Sequence, residues 1–187
     1  MSGICKYSDI FLEIFKRVVG HEGGYQCNAK DPGNWTGGKV GSGELKGTKY
    51  GLSAHSYPNL DIKNITLEEA KLEYYNWYKI SGIIKFCNPM KYQLFDAAFN
   101  HGQNWANRFL QRAVGVTDDG IIGRVTMSAV SSCDVEFVLI KFIAVRTRFF
   151  TDLSTYDEFG RGWMRRIATN LHYGAEDIKR YKKQHEY

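Results

Sequence analysis

The sequence predicts a mainly α-helical fold, and three observations carry that prediction. At least six segments place apolar residues at steps of three and four, the helical period. Capping residues and glycines stand where such segments should begin and end. The stretch from 24 to 53, rich in glycine, is the one long region without a helical period, and it reads as an irregular loop or a small β-hairpin.

Ser8 or Asp9 can cap a first helix whose inward stripe is Phe11, Phe15 and Val18, with Ile14 and Val19 alongside. One more step of four reaches Glu22, and Gly23 and Gly24 then stop the helix, so Glu22 is expected in its last turn facing inward. Thr66 and Glu69 form a capping box for a second helix with the stripe Leu67, Ala70, Tyr74 and Trp77. Asn88 and Pro89 open a third, carrying Tyr92, Phe95 and Phe99, with Asp96 and Asn100 stacked on a neighbouring face. A fourth holds Trp105, Phe109 and Ala113, and after a Thr117-Asp118-Asp119-Gly120 turn a short helix runs to about Val130. From Asp134 to Phe150 the stripe is Val135, Val138, Leu139, Phe142, Ile143 and Arg146. Phe159, Trp163 and Ile167 mark the last strong segment, with a polar, basic stretch beyond it.

A chain of 187 residues supports one core or two closely packed subdomains, and a monomer is expected. With 43% hydrophobic and 14% aromatic residues, the composition is that of a globular protein. The net charge of +5 favours anionic partners. It does not mark a nucleic-acid binder, because only Lys179, Arg180, Lys182 and Lys183 cluster, as a solvated helix end would also have them. No apolar run is long enough for a membrane span or a signal peptide, so neither membrane insertion nor export by the general secretory route is expected. Cys5, Cys27, Cys87 and Cys133 lie far apart with no CxxC pair, which points to free thiols and away from a zinc or redox motif.

Glu22 is the strongest site candidate. A carboxyl at the negative end of a helix dipole and on a core-facing stripe is held towards its protonated form, the state of a general acid that protonates a glycosidic oxygen. The alternative is a solvated helix-end charge. A Cys27 and His21 dyad across a glycine turn has no recognised nucleophile geometry.

The run His21-Glu22-Gly23-Gly24-Tyr25, then Asp31-Pro32-Gly33, then Gly47 to Ser53 (Gly-Thr-Lys-Tyr-Gly-Leu-Ser) resembles the N-acetylmuramidases of glycoside hydrolase family 108, which include bacteriophage endolysins. Phe95 to Gly102, Leu110 to Ala113, Asp119 to Gly123 and Gly162 to Arg165 resemble the predicted peptidoglycan-binding domain that usually follows. The resemblance implies a lysozyme-like helical fold with Glu22 as catalytic acid. It also implies cleavage of the β-1,4 bond from N-acetylmuramic acid to N-acetylglucosamine (EC 3.2.1.17), without metal or cofactor. The expected organisation is a catalytic region over 8–90, a helical peptidoglycan-binding region over 91–170 and a basic tail over 171–187. A protein made in the cytoplasm without a signal would reach the wall through a holin pore or another route. One departure stands out: many relatives pass almost directly from Asp-Pro-Gly-Gly to the Thr-Tyr-Gly segment, whereas here Asn34 to Lys46 intervene.

The second catalytic group is open. Asp31 is the first candidate if its loop returns over the helix end, and its alternative role is to cap the Asp-Pro-Gly turn. Thr48 and Tyr50 are the other candidates, positioning water by hydrogen bonds. Tyr25, Trp35, Tyr50 and Asn100 are candidate substrate contacts; Trp35 can stack on a sugar or anchor its loop. Two competing functions remain, a lytic transglycosylase using the same lone Glu and a catalytically silent wall-binding or secretion-assisting protein. Asp96 is expected to have a structural role, and His101 to cap its helix.

Overall fold

A computed structural model of the chain describes residues 7–19 and 24–185. Cys5, His21, Glu22 and Gly23 therefore lie outside the described residues, as does the expected course of the first helix to Glu22. Among the described residues are seven α-helices and one two-stranded antiparallel sheet, a mainly α fold. The chain divides into two compact units, Met1–Ile80 and Ser81–Tyr187.

In the first unit, α1 (Asp9–Val18) begins at the Ser8 cap, whose hydroxyl accepts from the Phe11 amide at 3.4 Å. Phe11, Ile14, Phe15 and Val18 are buried, as the stripe predicts. α2 (Leu67–Ile80) opens with the capping box: Thr66 Oγ1 accepts from the Glu69 amide at 3.2 Å, and Glu69 Oε2 accepts from the Thr66 amide at 2.8 Å. Its buried face is Ala70, Tyr74 and Tyr78, whereas Leu67 in the first turn is exposed and Trp77 half-buried. The face turns towards 78 because Tyr74 and Tyr78, four apart, both meet rings of α1. Phe15 to Tyr74 spans 5.9 Å between centroids and Phe11 to Tyr78 spans 5.5 Å, and each such pair adds about 0.5–1.5 kcal/mol beyond its area. Between the helices lie a 3₁₀ turn, Pro32–Asn34, and a hairpin of β1 (Thr48–Lys49) and β2 (Leu52–Ser53), paired Thr48 with Ser53 and Lys49 with Leu52.

The second unit contains α3 (Asn88–His101), α4 (Gln103–Val114), α5 (Arg124–Ser131), α6 (Val135–Thr151) and α7 (Tyr156–His185). α3 is buried almost all round from Pro89 to Ala98, so it is the central helix, packed by α4, α6 and α7. Asp134 caps α6, one oxygen accepting from the Glu136 amide at 2.8 Å and the Phe137 amide at 3.2 Å. Val138, Leu139, Phe142, Ile143 and Arg146 are buried on α6 as expected. Gln111 on α4 clamps the turn after it: its Oε1 accepts from the Gly120 amide at 2.8 Å and its Nε2 donates to Asp119 Oδ1 at 2.7 Å. Gly120, at φ 82°, takes a left-handed conformation that other residues rarely adopt, and a Cβ there would have to push aside Asn104 Nδ2, 2.3 Å away. Residues from 171 onward continue α7 to His185. None of the described helices is long and apolar enough to cross a membrane. Cys27, Cys87 and Cys133 are free thiols.

Candidate active site

The glycine-rich region of the first unit is organised around Asn34, which is completely buried. A buried carboxamide must satisfy its donors and acceptor, and this one does. Its Oδ1 accepts from Thr48 Oγ1 at 2.7 Å and Gln26 Nε2 at 3.2 Å, while its Nδ2 donates to Gln26 Oε1 at 3.1 Å and to the Asn28 carbonyl at 3.0 Å. The Asn34 carbonyl accepts from both the Lys46 and Gly47 amides, at 3.0 and 3.1 Å. The insertion thus leaves and rejoins the domain at one residue. Trp35 pairs with Leu45 across its base, and Gly37 closes the far end by donating to the Ser42 carbonyl.

Asp31 lies in the same cluster. Its Oδ1 accepts from the Gly33 amide at 2.9 Å and its Oδ2 from Gln26 Nε2 at 3.4 Å, so it caps the Asp-Pro-Gly turn with a second contact to Gln26. Thr48 is joined to Gln26 by backbone pairing in both directions, at 2.8 and 2.9 Å. Because the Thr48 hydroxyl proton goes to Asn34, the lone pairs of its oxygen remain available to accept. Trp35 donates its indole N–H to the Ala29 carbonyl at 2.8 Å, which anchors the insertion, and its ring is half-buried.

Tyr50 and Gly51 are the two central residues of the hairpin turn, at φ 52° and 76°. Positive φ at both positions is the geometry that fits a two-residue turn to strand twist, and Tyr50 adopts it without being glycine. Its carbonyl accepts from Tyr74 Oη at 3.0 Å, tying the turn to α2, and Lys49 Nζ lies 5.3 Å from its ring centroid. Gly47, at φ 79°, admits no side chain, because a Cβ would stand 2.4 Å from the Gln26 carbonyl and 2.8 Å from the Tyr25 ring. Tyr25 is 38% exposed, leaving part of its phenol open to a ligand, and a hydrogen bond with Cys27 raises its pKa. Beside it a groove of about 380 Å³ runs along Leu45, Lys46 and the segment Asn59 to Lys63.

The structure therefore brings Tyr25, Asp31, Trp35, Thr48 and Tyr50 into one loop cluster of the first unit. Asn100 belongs to the second unit, where it is exposed and donates to the Asp96 carbonyl of its own helix at 2.6 Å. Gln26 and Asn34 are the residues that the sequence reading missed. A buried polar side chain in a loop has no periodicity to betray it, and the one available signal was the density of Asn, Asp and Gly in the segment.

In the second unit Asp96 is an ion-pair centre. It is 2% exposed and accepts from Arg146 Nη1 at 2.5 Å, Arg166 Nη2 at 2.7 Å and Asn170 Nδ2 at 2.8 Å. Burial opposes its ionisation, but Arg146 and Arg166 outweigh that and hold the carboxyl below its usual range. His101 does not cap α3, a place taken by Gly102 at φ 81°. Its Nε2 accepts from Arg146 Nε at 3.1 Å within a ring of Phe109, Phe149 and Phe150, and burial followed by the Arg146 charge pushes its pKa down to about 4. His101 is thus neutral in the fold, whereas the unfolded chain binds its proton near pH 6.5. Stability is full above that pH and falls as pH drops towards 4. Allowing for partial exposure, the loss should be about 1–2 kcal/mol, and His101→Phe should flatten the urea-midpoint profile between pH 6.5 and 4. An unchanged slope in the variant would refute this.

Among the described residues no cluster of three or more His, Cys, Asp or Glu side chains could hold a metal ion.

Residues 15–102 match the family model of glycosyl hydrolase 108, and residues 105–168 match that of a predicted peptidoglycan domain. No curated protein matches significantly. Among solved structures, the chain is similar to Brucella abortus SagA at 23% identity and a TM-score of 0.71, covering 90% of this chain and 94% of that one; the likeness shows a shared fold. With the loop cluster inside the first matched segment and the α3–α7 unit containing the second, residues 15–102 are a glycosyl hydrolase 108 segment and residues 105–168 a predicted peptidoglycan segment, which together support a glycosidase acting on peptidoglycan.

Proposed function

We propose that the protein hydrolyses the β-1,4 bond from N-acetylmuramic acid to N-acetylglucosamine, with Glu22 as general acid. The observation that carries this reading is the family match over 15–102, which spans Glu22 and the hydrogen-bonded loop cluster that follows it in the chain. The cluster supplies what such a reaction needs besides the acid: rigid backbone and aromatic surface. Tyr25, Trp35 and Tyr50 offer ring faces for sugars. Of the two candidates for the second role, Thr48 suits it better. Asp31 already accepts from the Gly33 amide with one oxygen and from Gln26 with the other, whereas the Thr48 oxygen, its proton given to Asn34, can accept a hydrogen bond from the attacking water. Glu22 then protonates the departing glycosidic oxygen as that bond breaks, water bonds to the anomeric carbon, and the proton the water sheds passes through solvent to the Glu22 carboxylate, restoring the acid. The setting we propose is that of a phage endolysin, a monomer made in the cytoplasm that reaches the wall through a holin pore or a comparable route.

Mass spectrometry of soluble fragments from purified peptidoglycan tests the reaction. Fragments ending in a reducing N-acetylmuramic acid are expected. Anhydro ends would instead assign a lytic transglycosylase, and no fragments from folded protein would assign a silent wall binder.

A further inference from the structure

The second unit carries a groove of about 430 Å³ on α4 and α6, lined by Arg112, Lys141, Arg148, Phe149 and Asp152 over a floor of Ala144 and Val145. Arg112 is held by Asp118, its Nε donating at 2.5 Å, and lies 5.7 Å from the Trp105 ring. Lys141 and Arg148 are exposed and have no acidic partner among the described residues. Seven residues apart on one helix, they stand on the same face about 10.5 Å from each other at 1.5 Å per residue. Asp152, four residues beyond Arg148, puts a carboxylate at one end of this row.

Two cations without an acidic partner at that spacing complement carboxylates about 10 Å apart, the extended separation of the α-carboxylate of a γ-linked glutamate and a terminal carboxylate two residues on. The terminal Asp152 complements an ammonium. Phosphates of a duplex strand recur about every 3.4 Å along the helix axis, a denser series than two cations this far apart match. Small Ala144 and Val145 let a peptide backbone lie close, and Phe149 forms an apolar wall.

We infer that this groove binds the acidic stem peptide of peptidoglycan, with Lys141 and Arg148 on its carboxylates and Asp152 on the free amine of a diamino acid. The inference rests on the reading of peptidoglycan as the substrate. Its function would be to hold the peptide while the glycan is cut elsewhere in the protein.

The test measures binding rather than turnover, so its failure is distinct from failure of the hydrolase reading, which the fragment masses decide. Full-length protein is titrated by calorimetry with the free tetrapeptide Ala-γ-Glu-diaminopimelate-Ala, with the same peptide amidated at its carboxyls, and with polyphosphate. Wild type should bind the tetrapeptide, and both amidation and the double variant K141Q/R148Q should weaken binding about tenfold, as loss of two partly exposed charge-assisted contacts would. The unfolding temperature of the variant should be unchanged, because both side chains are exposed. No tetrapeptide binding, equal binding by the variant, or insensitivity to amidation would overturn the inference. Tighter polyphosphate binding lost in the same variant would reassign the groove to a phosphate polymer.

Discussion

Glu22→Gln is expected to lower kcat on purified peptidoglycan by about 10²- to 10⁴-fold, the contribution a positioned general acid ordinarily makes. Glutamine keeps the shape and loses the proton, so cosedimentation with insoluble peptidoglycan should be unaffected while release of reducing ends collapses. Two companion variants give the loss its meaning. Asp31→Asn retains an oxygen for the Gly33 amide and so keeps the turn; if Asp31 only holds that turn, kcat should fall less than about tenfold. A loss rivalling that of Glu22→Gln would make Asp31 the second catalytic carboxylate and displace Thr48. Thr48→Val removes an acceptor for the attacking water together with the bond to Asn34. About one hydrogen bond, or roughly tenfold in kcat, is the expected cost. Activity of Glu22→Gln within a factor of a few of wild type would place the acid elsewhere.

Much of the fold was legible in the sequence because it is local. Ser8, the Thr66 and Glu69 box, and Asp134 cap their helices as their residue types require, and the stripes of α1 and α6 are buried nearly as the period predicts. What escaped is set by tertiary contact. The face of α2 is chosen by the rings of Phe11 and Phe15, which favour Tyr78 over Trp77. The continuation of α7 is hidden because its buried positions include Asn170, Gly174 and Asp177, which no hydrophobic pattern shows. Gly174 is there because α7 comes close to its neighbours: a Cβ would stand 2.9 Å from Leu139 and 3.3 Å from Gln93 Nε2. The site was legible as motif and illegible as architecture. Tyr25, Asp31, Thr48 and Tyr50 were named from the family pattern, but Asn34, which joins the turn, the insertion and the hairpin, announces itself only through its complete burial and seven hydrogen bonds.

Asp96→Ala should destabilise the protein by about 3–5 kcal/mol, the cost of leaving a buried partner charge uncompensated. Arg146 is fully buried, and its Nη2 already lacks a hydrogen-bond partner among the described residues; without Asp96 its charge would face the neutral His101 and the Phe150 ring. Arg166, at 28% side-chain exposure, can turn towards water and should suffer less. In a chain of this size such a loss lowers the unfolding temperature by roughly 10 °C, readable by circular dichroism. The comparison that isolates the cause is the double variant D96L/R146M, in which both buried charges are replaced by apolar side chains. Because a buried pair costs nearly as much desolvation as it returns in attraction, the double variant should recover most of the stability lost by Asp96→Ala. Stability of the double variant equal to the sum of the two single losses would show that Asp96 and Arg146 act independently, and the account of an ion pair organising α3, α6 and α7 would fail.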